Sequence, residues 1–249
     1  MDILSFEGVS LTYQTLEGET KALENISFSI KEGEFVSIVG PSGCGKTTIL
    51  SLVSGLLSAT KGQVYLNGKK VLGTQNDTGY MLQRDQLFDW RTIRQNVALG
   101  LEIKRMKTPE NLAYADELIE KYGLKDFASH YPRQLSGGMR QRVALIRTLA
   151  FRPSVLLLDE PFSALDFQTR LSVCEDVYKI IRSEKKTALL VTHDISEAVS
   201  LSDRVLVLSS RPAFVKHTFS IDIEGTPLQR RENPKFSKYF DEIWKAVQV

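Results

Sequence analysis

Apolar residues along this chain fall into two rhythms. Short, largely apolar runs at Phe35–Val39, 155–158, 188–192 and 205–208 have the length of strands buried on both faces. Between them the apolar positions take helical spacing. Ile49, Leu52, Val53 and Leu56 predict a helix starting near Lys46, and Val173, Cys174, Val177 and Ile181 predict another. Asp194-Ile195-Ser196-Glu197 has capping-box spacing and opens a third. Asn233-Pro234 starts a C-terminal amphipathic helix over about 234–247, with Phe236, Tyr239, Phe240, Ile243, Trp244 and Val247 on one stripe. Asn67-Gly68, set between residues 64–66 and 69–71, is a two-residue hairpin signal, so antiparallel strands flank the core toward the N-terminus.

The stretch from about 90 to 150 differs in texture, with few β-branched runs. Thr108-Pro109 is an N-cap followed by proline at the first helical position. Leu112, Ala115, Ile119 and Tyr122 share a face, and Gly123 stops the helix. The expected fold is therefore α/β: a mainly parallel sheet, an N-terminal antiparallel β subdomain, and an α-helical subdomain inserted between two strands. Residues 1–249 read as one domain, with no internal repeat and no low-complexity linker.

Composition narrows the class. Hydrophobic residues are 42% and charged residues 25% of 249, which excludes a collagenous or wholly disordered chain. The net charge of +2 gives no electrostatic argument for nucleic acid or an anionic membrane surface as partner. Two cysteines, Cys44 and Cys174, make no disulfide framework and suit a reducing compartment. Residues 1–7 lack a basic-then-apolar signal pattern, and no run approaches the about 20 apolar residues of a bilayer span.

The candidate chemistry begins where the 35–39 strand ends. Gly40-Pro41-Ser42-Gly43-Cys44-Gly45-Lys46-Thr47 fits the phosphate-binding pattern G-x-x-x-x-G-K-[ST], between a strand and an amphipathic helix as that motif requires. Glycines let backbone N–H groups turn onto phosphate oxygens, and the helix adds its positive end. Lys46 brings a cation to the β- and γ-phosphates, and Thr47 a hydroxyl for Mg²⁺. Thr48 and Cys44 complete the candidate nucleotide-binding run. The core is thus expected to be a P-loop NTPase-type nucleotide-phosphate fold with Mg²⁺ beside the phosphates. The run 155–158 ends in Asp159-Glu160: Asp159 is placed to hold the metal, and Glu160, pointing elsewhere, to take a proton from an attacking water.

These residues, with others in fixed order, resemble one family, the ATP-binding cassette ATPases. Leu135-Ser136-Gly137-Gly138-Met139-Arg140-Gln141-Arg142 is similar to the family signature, with Met139 where glutamine is commoner. Phe162-Ser163-Ala164-Leu165-Asp166 resembles its D-loop, Gln83 its Q-loop glutamine after the strand Tyr80-Met81-Leu82, and His193 its switch histidine. Tyr13 sits where an aromatic stacks on adenine. The resemblance implies that Gln83 touches the metal and the attacking water, that His193 contacts the γ-phosphate, and that Asp166 serves the nucleotide site. His130 and His217 read as ordinary surface or satisfied core histidines.

Ser136, Gly137 and Gly138 cap a helical pattern and make a second anion site, yet the chain has one P-loop. The partner phosphate is thus expected from another chain, and the resemblance implies a head-to-tail pair in which each signature closes on the other copy's ATP. Residues 83–99, with Trp90 and an Asn-Val-Ala helix, are similar to nitrate/sulfonate/taurine importer ATPases, although Asp89 replaces their usual proline. That branch implies separate polytopic membrane subunits, an indirect link to a solute-binding protein, and a peripheral place on the cytoplasmic face of the membrane. Phe88, Asp89, Trp90 and Arg91 would be the exposed socket for the membrane subunit. An exporter subunit, or a soluble cassette acting on nucleic acid or the ribosome, remains an alternative at this level.

Overall fold

The structure, a computed structural model, describes residues 2–16, 18–75 and 77–248. The elements run β1 (Asp2–Thr15), β2 (Gly18–Lys31), β3 (Phe35–Val39), α1 (Lys46–Val53), β4 (Lys61–Leu66), β5 (Lys69–Lys70) and β6 (Thr78–Met81). There follow α2 (Ile93–Val97), α3 (Leu99–Ile103), α4 (Pro109–Lys121), α5 (Gly137–Leu149), β7 (Val155–Asp159), α6 (Phe167–Ser183) and β8 (Thr187–Val191). The chain continues through α7 (Ile195–Leu201), β9 (Arg204–Leu208), β10 (Val215–Ser220), α8 (Pro227–Glu232) and α9 (Lys235–Gln248).

Two sheets form among the described residues. One is antiparallel, in the order β2-β1-β4-β5; the other runs β10-β9-β3-β8-β7-β6, parallel except for β10. The short runs are largely apolar because both faces of the parallel sheet are covered. On β7, Val155 and Leu157 face the cluster shared with β1, β2 and α1, while Leu156 and Leu158 face the cluster shared with α5 and α6. On β8, Leu189 and Val191 take the first side and Ala188 and Leu190 the second, as the two-residue period demands.

Local signals set several boundaries. Thr108 accepts a hydrogen bond from Asn111 N–H and Pro109 opens α4. Asn67 and Gly68 both have positive φ, 51° and 70°, the pair of angles a tight hairpin turn needs. At α7 the anticipated capping box is replaced by another arrangement. Asp194 caps Ser196 and Glu197 N–H groups, but the Glu197 side chain turns inward to accept the Thr192 hydroxyl at 2.6 Å. Strand β6 stops at Met81, leaving Leu82 exposed, because its neighbour β7 pairs with it no further than Met81. The sequence pattern predicts neither β10 nor α8; β10 is a half-exposed edge strand and α8 a helix of six residues, both too weakly patterned to read.

Between β6 and β7 the chain is mainly helical, and α2, α4 and α5 pack together over Val97, Leu118 and Val143. No helix among the described residues is long and apolar enough to cross a membrane. Helix α9 lays Phe236, Tyr239, Phe240, Ile243 and Val247 against α7 and β9, with Ile243 fully buried. Trp244 of the same stripe stays half exposed, stacked on Phe240.

Candidate active site

Parallel strands converge their C-terminal ends on one edge, where ligands of open α/β sheets sit. β3 delivers the loop 40–47, β7 delivers Asp159 and Glu160, β8 leads into Thr192 and His193, and β6 leads into Gln83. They surround a cleft of about 640 Å³ lined by Tyr13, Ala22, Ser42, Gly43, Gly45, Lys46, Thr47, Thr48, Glu160, His193 and Arg211.

The loop takes its shape from glycine. Gly43 and Gly45 have φ of 72° and 114°, and a Cβ on Gly45 would lie 2.9 Å from Leu23 Cδ2. Lys46 is buried, and its ammonium donates to the carbonyls of Gly40 and Pro41, each at 3.0 Å. The cation is thereby held over the loop. Cys44 is buried, and burial pushes its thiol up, so it is a packing residue of the loop.

Thr47 Oγ1 donates to Asp159 Oδ1 at 3.2 Å, and Tyr80 OH donates to Asp159 Oδ2 at 3.2 Å. Burial raises the Asp159 carboxyl from its ordinary value, although these two hydrogen bonds oppose the shift. Tyr80 is likewise pushed up, by burial and then by the charge of Asp159. Thr47 and Asp159 present hard oxygen donors side by side, the chemistry that suits Mg²⁺.

Glu160 has left-handed backbone, φ 45°, uncommon for a residue with a side chain. Its N–H donates to Val191 O at 2.8 Å, which fixes the end of β7 against β8. The bend aims its carboxylate at His193, whose Nδ1 lies 3.1 Å from Glu160 Oε2. Gln83 is exposed and does not line the cleft; its amide donates to Ser163 Oγ at 3.2 Å, and Ser163 Oγ donates to Glu160 O at 2.9 Å. A chain of two hydrogen bonds therefore links Gln83 to the backbone of Glu160. Tyr13 is partly exposed and bonds Thr48 through its hydroxyl at 3.0 Å.

The signature residues lie elsewhere. Ser136 caps α5 through Met139 N–H, and Gly138 is packed against Val173 and Thr169 of α6. Gly137 borders a second cleft, of about 570 Å³, with Arg84, Arg140 and Leu165. Asp166 caps α6 through Thr169 N–H at 3.0 Å. Ser136, Gly137, Gly138 and Asp166 thus stand apart from the cleft around Lys46. His217 is exposed, as expected, whereas His130 packs on Phe127 with Nδ1 buried and without a hydrogen-bond partner in the structure. Sequence reading misses Tyr80, Ser163 and Arg211. Tyr80 and Arg211 reach their partners across 79 and 168 positions and carry no motif of their own, while Ser163 lies in the D-loop run but has no contact assigned to it there.

A strand–P-loop–helix cradle beside an acidic strand end defines a nucleoside-triphosphate-hydrolysing class of protein. Residues 23–163 match the family model described as ABC transporter, and the chain belongs to that family. It is an ATP-binding, ATP-hydrolysing cassette. It is 46% identical over 250 residues to the uncharacterised ABC transporter ATP-binding protein YtlC of Bacillus subtilis strain 168, covering 99% of this chain and 96% of that protein. To the nitrate import ATP-binding protein NrtD of Synechocystis sp. it is 44% identical over 233 residues, covering 91% and 88%. Among solved structures, the dimeric post-hydrolysis state of the cassette MJ0796 bound to ADP and Pi aligns with TM-score 0.74 at 35% identity, covering 89% of this chain and 99% of that one.

Proposed function

We propose that this chain is the ATPase subunit of an importer for a small solute, working as a pair of copies on separate membrane-spanning subunits at the cytoplasmic face of the membrane. The observation that carries it is the division of the site. Cradle, acid and histidine share one cleft, while the signature helix end opens beside another. Each is half of a pocket, and a head-to-tail pair joins the halves. The dimeric architecture of the MJ0796 cassette supports that reading, and the similarity to NrtD, a nitrate import ATP-binding protein, supports import of a nitrate-like solute. A sulfonate, taurine or pyrimidine-precursor cargo belongs to the same reading, with a solute-binding protein as an indirect partner.

In this scheme residues 1–249 act as one cassette domain, the segment of about 90–150 forming its inserted helical subdomain. Residues 40–48 hold the phosphates, with Lys46 exchanging its loop carbonyls for the β- and γ-phosphates. Tyr13 lies under the adenine. Thr47 and Asp159 would hold Mg²⁺, joined by Gln83 once closure draws it from Ser163 into the cleft; when bound, the ion would withdraw charge from the phosphate oxygens. Glu160 takes a proton from the attacking water, and His193 orients that water and the γ-phosphate. Ser136, Gly137 and Gly138 of the partner aim a helix N-terminus at the transferring group, beside Asp166 at the join. Closure excludes water, which strengthens each of these interactions.

Coupling to the membrane follows from the turn at 88–92. Asn96, fully buried, accepts from Phe88 N–H and donates to the carbonyls of Phe88, Arg91 and Thr92. That brace presents Trp90, 73% exposed, with Phe88 stacked against it at 4.7 Å; Phe88 and Arg91 themselves are half buried. The segment is also tied to the signature helix, since Arg147 donates to the carbonyls of Asp85 and Gln86 and Arg140 pairs with Asp85. A membrane subunit seated at Trp90 would thus push on α5 and on the partner's phosphates.

The test is assembly. Glu160→Gln should still bind ATP, shift from monomer to dimer by light scattering with Mg-ATP, and turn over roughly 10²–10⁴-fold more slowly. A strictly monomeric Glu160→Gln saturated with Mg-ATP would overturn the paired mechanism.

A further inference from the structure

Arg211 is a lining residue of the nucleotide cleft to which no motif assigns a part. It sits in the turn between β9 and β10, exposed to solvent. The turn itself is firmly held. Ala213 N–H donates to Ala22 O and Glu24 N–H to Ala213 O, each at 2.9 Å, stitching the turn to β2. Ser209 and Phe214 close it by two further hydrogen bonds of 3.0 Å. From this base the guanidinium reaches the phosphate-binding loop, where Nε and Nη2 both donate to Gly43 O, at 3.2 and 2.6 Å.

The grip falls on one of the two positive-φ glycines of the cradle. Gly43 holds φ of 72°, and its carbonyl is drawn toward Arg211. A loop that binds phosphate must keep carbonyl oxygens away from the anion and N–H groups toward it. Free to rotate, the 43–44 peptide could turn its oxygen to the phosphates and cost affinity. The positive charge of Arg211 also reaches the loop, opposing, together with the larger contribution of Lys46, the burial that raises the Cys44 thiol.

We propose that Arg211 is a positioning residue for nucleoside di- and triphosphates, holding the Gly43 carbonyl out of the cleft so that the loop is set for polyphosphate before it arrives. The assignment rests on the nucleotide cleft described above. It makes Arg211 matter for binding more than for cleavage, and it depends on the two-nitrogen grip, which a lysine ammonium cannot reproduce.

Calorimetric titration with Mg-ADP of the parent, Arg211→Met, Arg211→Lys and Lys46→Ala tests this. Arg211→Met and Arg211→Lys are both expected to weaken Mg-ADP roughly tenfold. The loss should persist in high salt, where long-range charge is screened. Nucleotide-free melting should stay at the parent temperature, with the shift on adding Mg-ADP reduced. KM for ATP should rise by more than kcat falls. Parental affinity in Arg211→Met overturns the proposal, as does full rescue by lysine, which would leave charge alone at work. Lower melting without nucleotide would make Arg211 a prop of the fold and also overturn it. Failure of the cleft itself looks different: the parent would not bind Mg-ADP and Lys46→Ala would change nothing.

Discussion

His193 Nδ1 lies 3.1 Å from Glu160 Oε2, joining the ends of β7 and β8 across the mouth of the phosphate cradle. A carboxylate can only accept in this contact, so the hydrogen between the two lies on Nδ1, and Nε2 is on the far side of the ring.

The two groups are therefore expected to act as a unit. His193→Ala should lower turnover roughly 10²-fold or more while nucleotide binding persists. Combined with Glu160→Gln, it should slow the reaction little beyond the worse single change, because removing either member already disables the pair. Single-turnover kinetics on the four proteins measures this; multiplicative losses would separate the roles.

A second expectation concerns acid and base. Burial raises the Glu197 carboxyl from 4.5 to about 7, partly opposed by the Thr192 hydroxyl and by Arg170, with Asp194 adding to the rise. His193 opposes it weakly, and the Cys174 thiol lies within reach of the same charge. The folded chain keeps a proton that the unfolded chain releases between those values. Stability from this group is thus complete below about 4.5 and is lost as pH rises through about 7. Glu197→Gln should gain stability relative to the parent between pH 5 and pH 8, roughly the window of the shift. Urea midpoints at both pH values check the sign.

Trp90 supplies the third. Its side chain is 73% exposed and rests on Phe88, so Trp90→Ala should leave melting and basal ATP hydrolysis near the parent. Aromatic anchors at an interface are worth roughly 2 kcal/mol or more, so co-purification with the polytopic membrane subunits should fall steeply. Undiminished recovery of those subunits would remove Trp90 from the proposed contact.

Much of this was legible along the chain because the information was local. A buried strand leaves a largely apolar run, a helix a 3.6-residue stripe, and a phosphate loop its glycines and lysine at fixed spacing. Thus Phe35–Val39, the start of α1 at Lys46, the cap at Thr108 and the turn at Asn67-Gly68 all follow from neighbouring residues. The family order of motifs from Tyr13 to His193 added the candidate site. What neighbours cannot encode is which distant groups meet. The Asp194–Glu197 spacing suits a capping box, but Glu197 found the Thr192 hydroxyl inside the fold and turned to it. The left-handed bend at Glu160 and the hydrogen-bond chain from Gln83 through Ser163 exist because three strands end together. Arg211 is the extreme case: 168 residues from Gly43, it contacts the cradle because β10 folds back on β9 and carries the turn there. Sequence thus set the pieces and their chemistry, and tertiary packing chose their partners, since hydrogen bonds and buried charges are settled by distance in space.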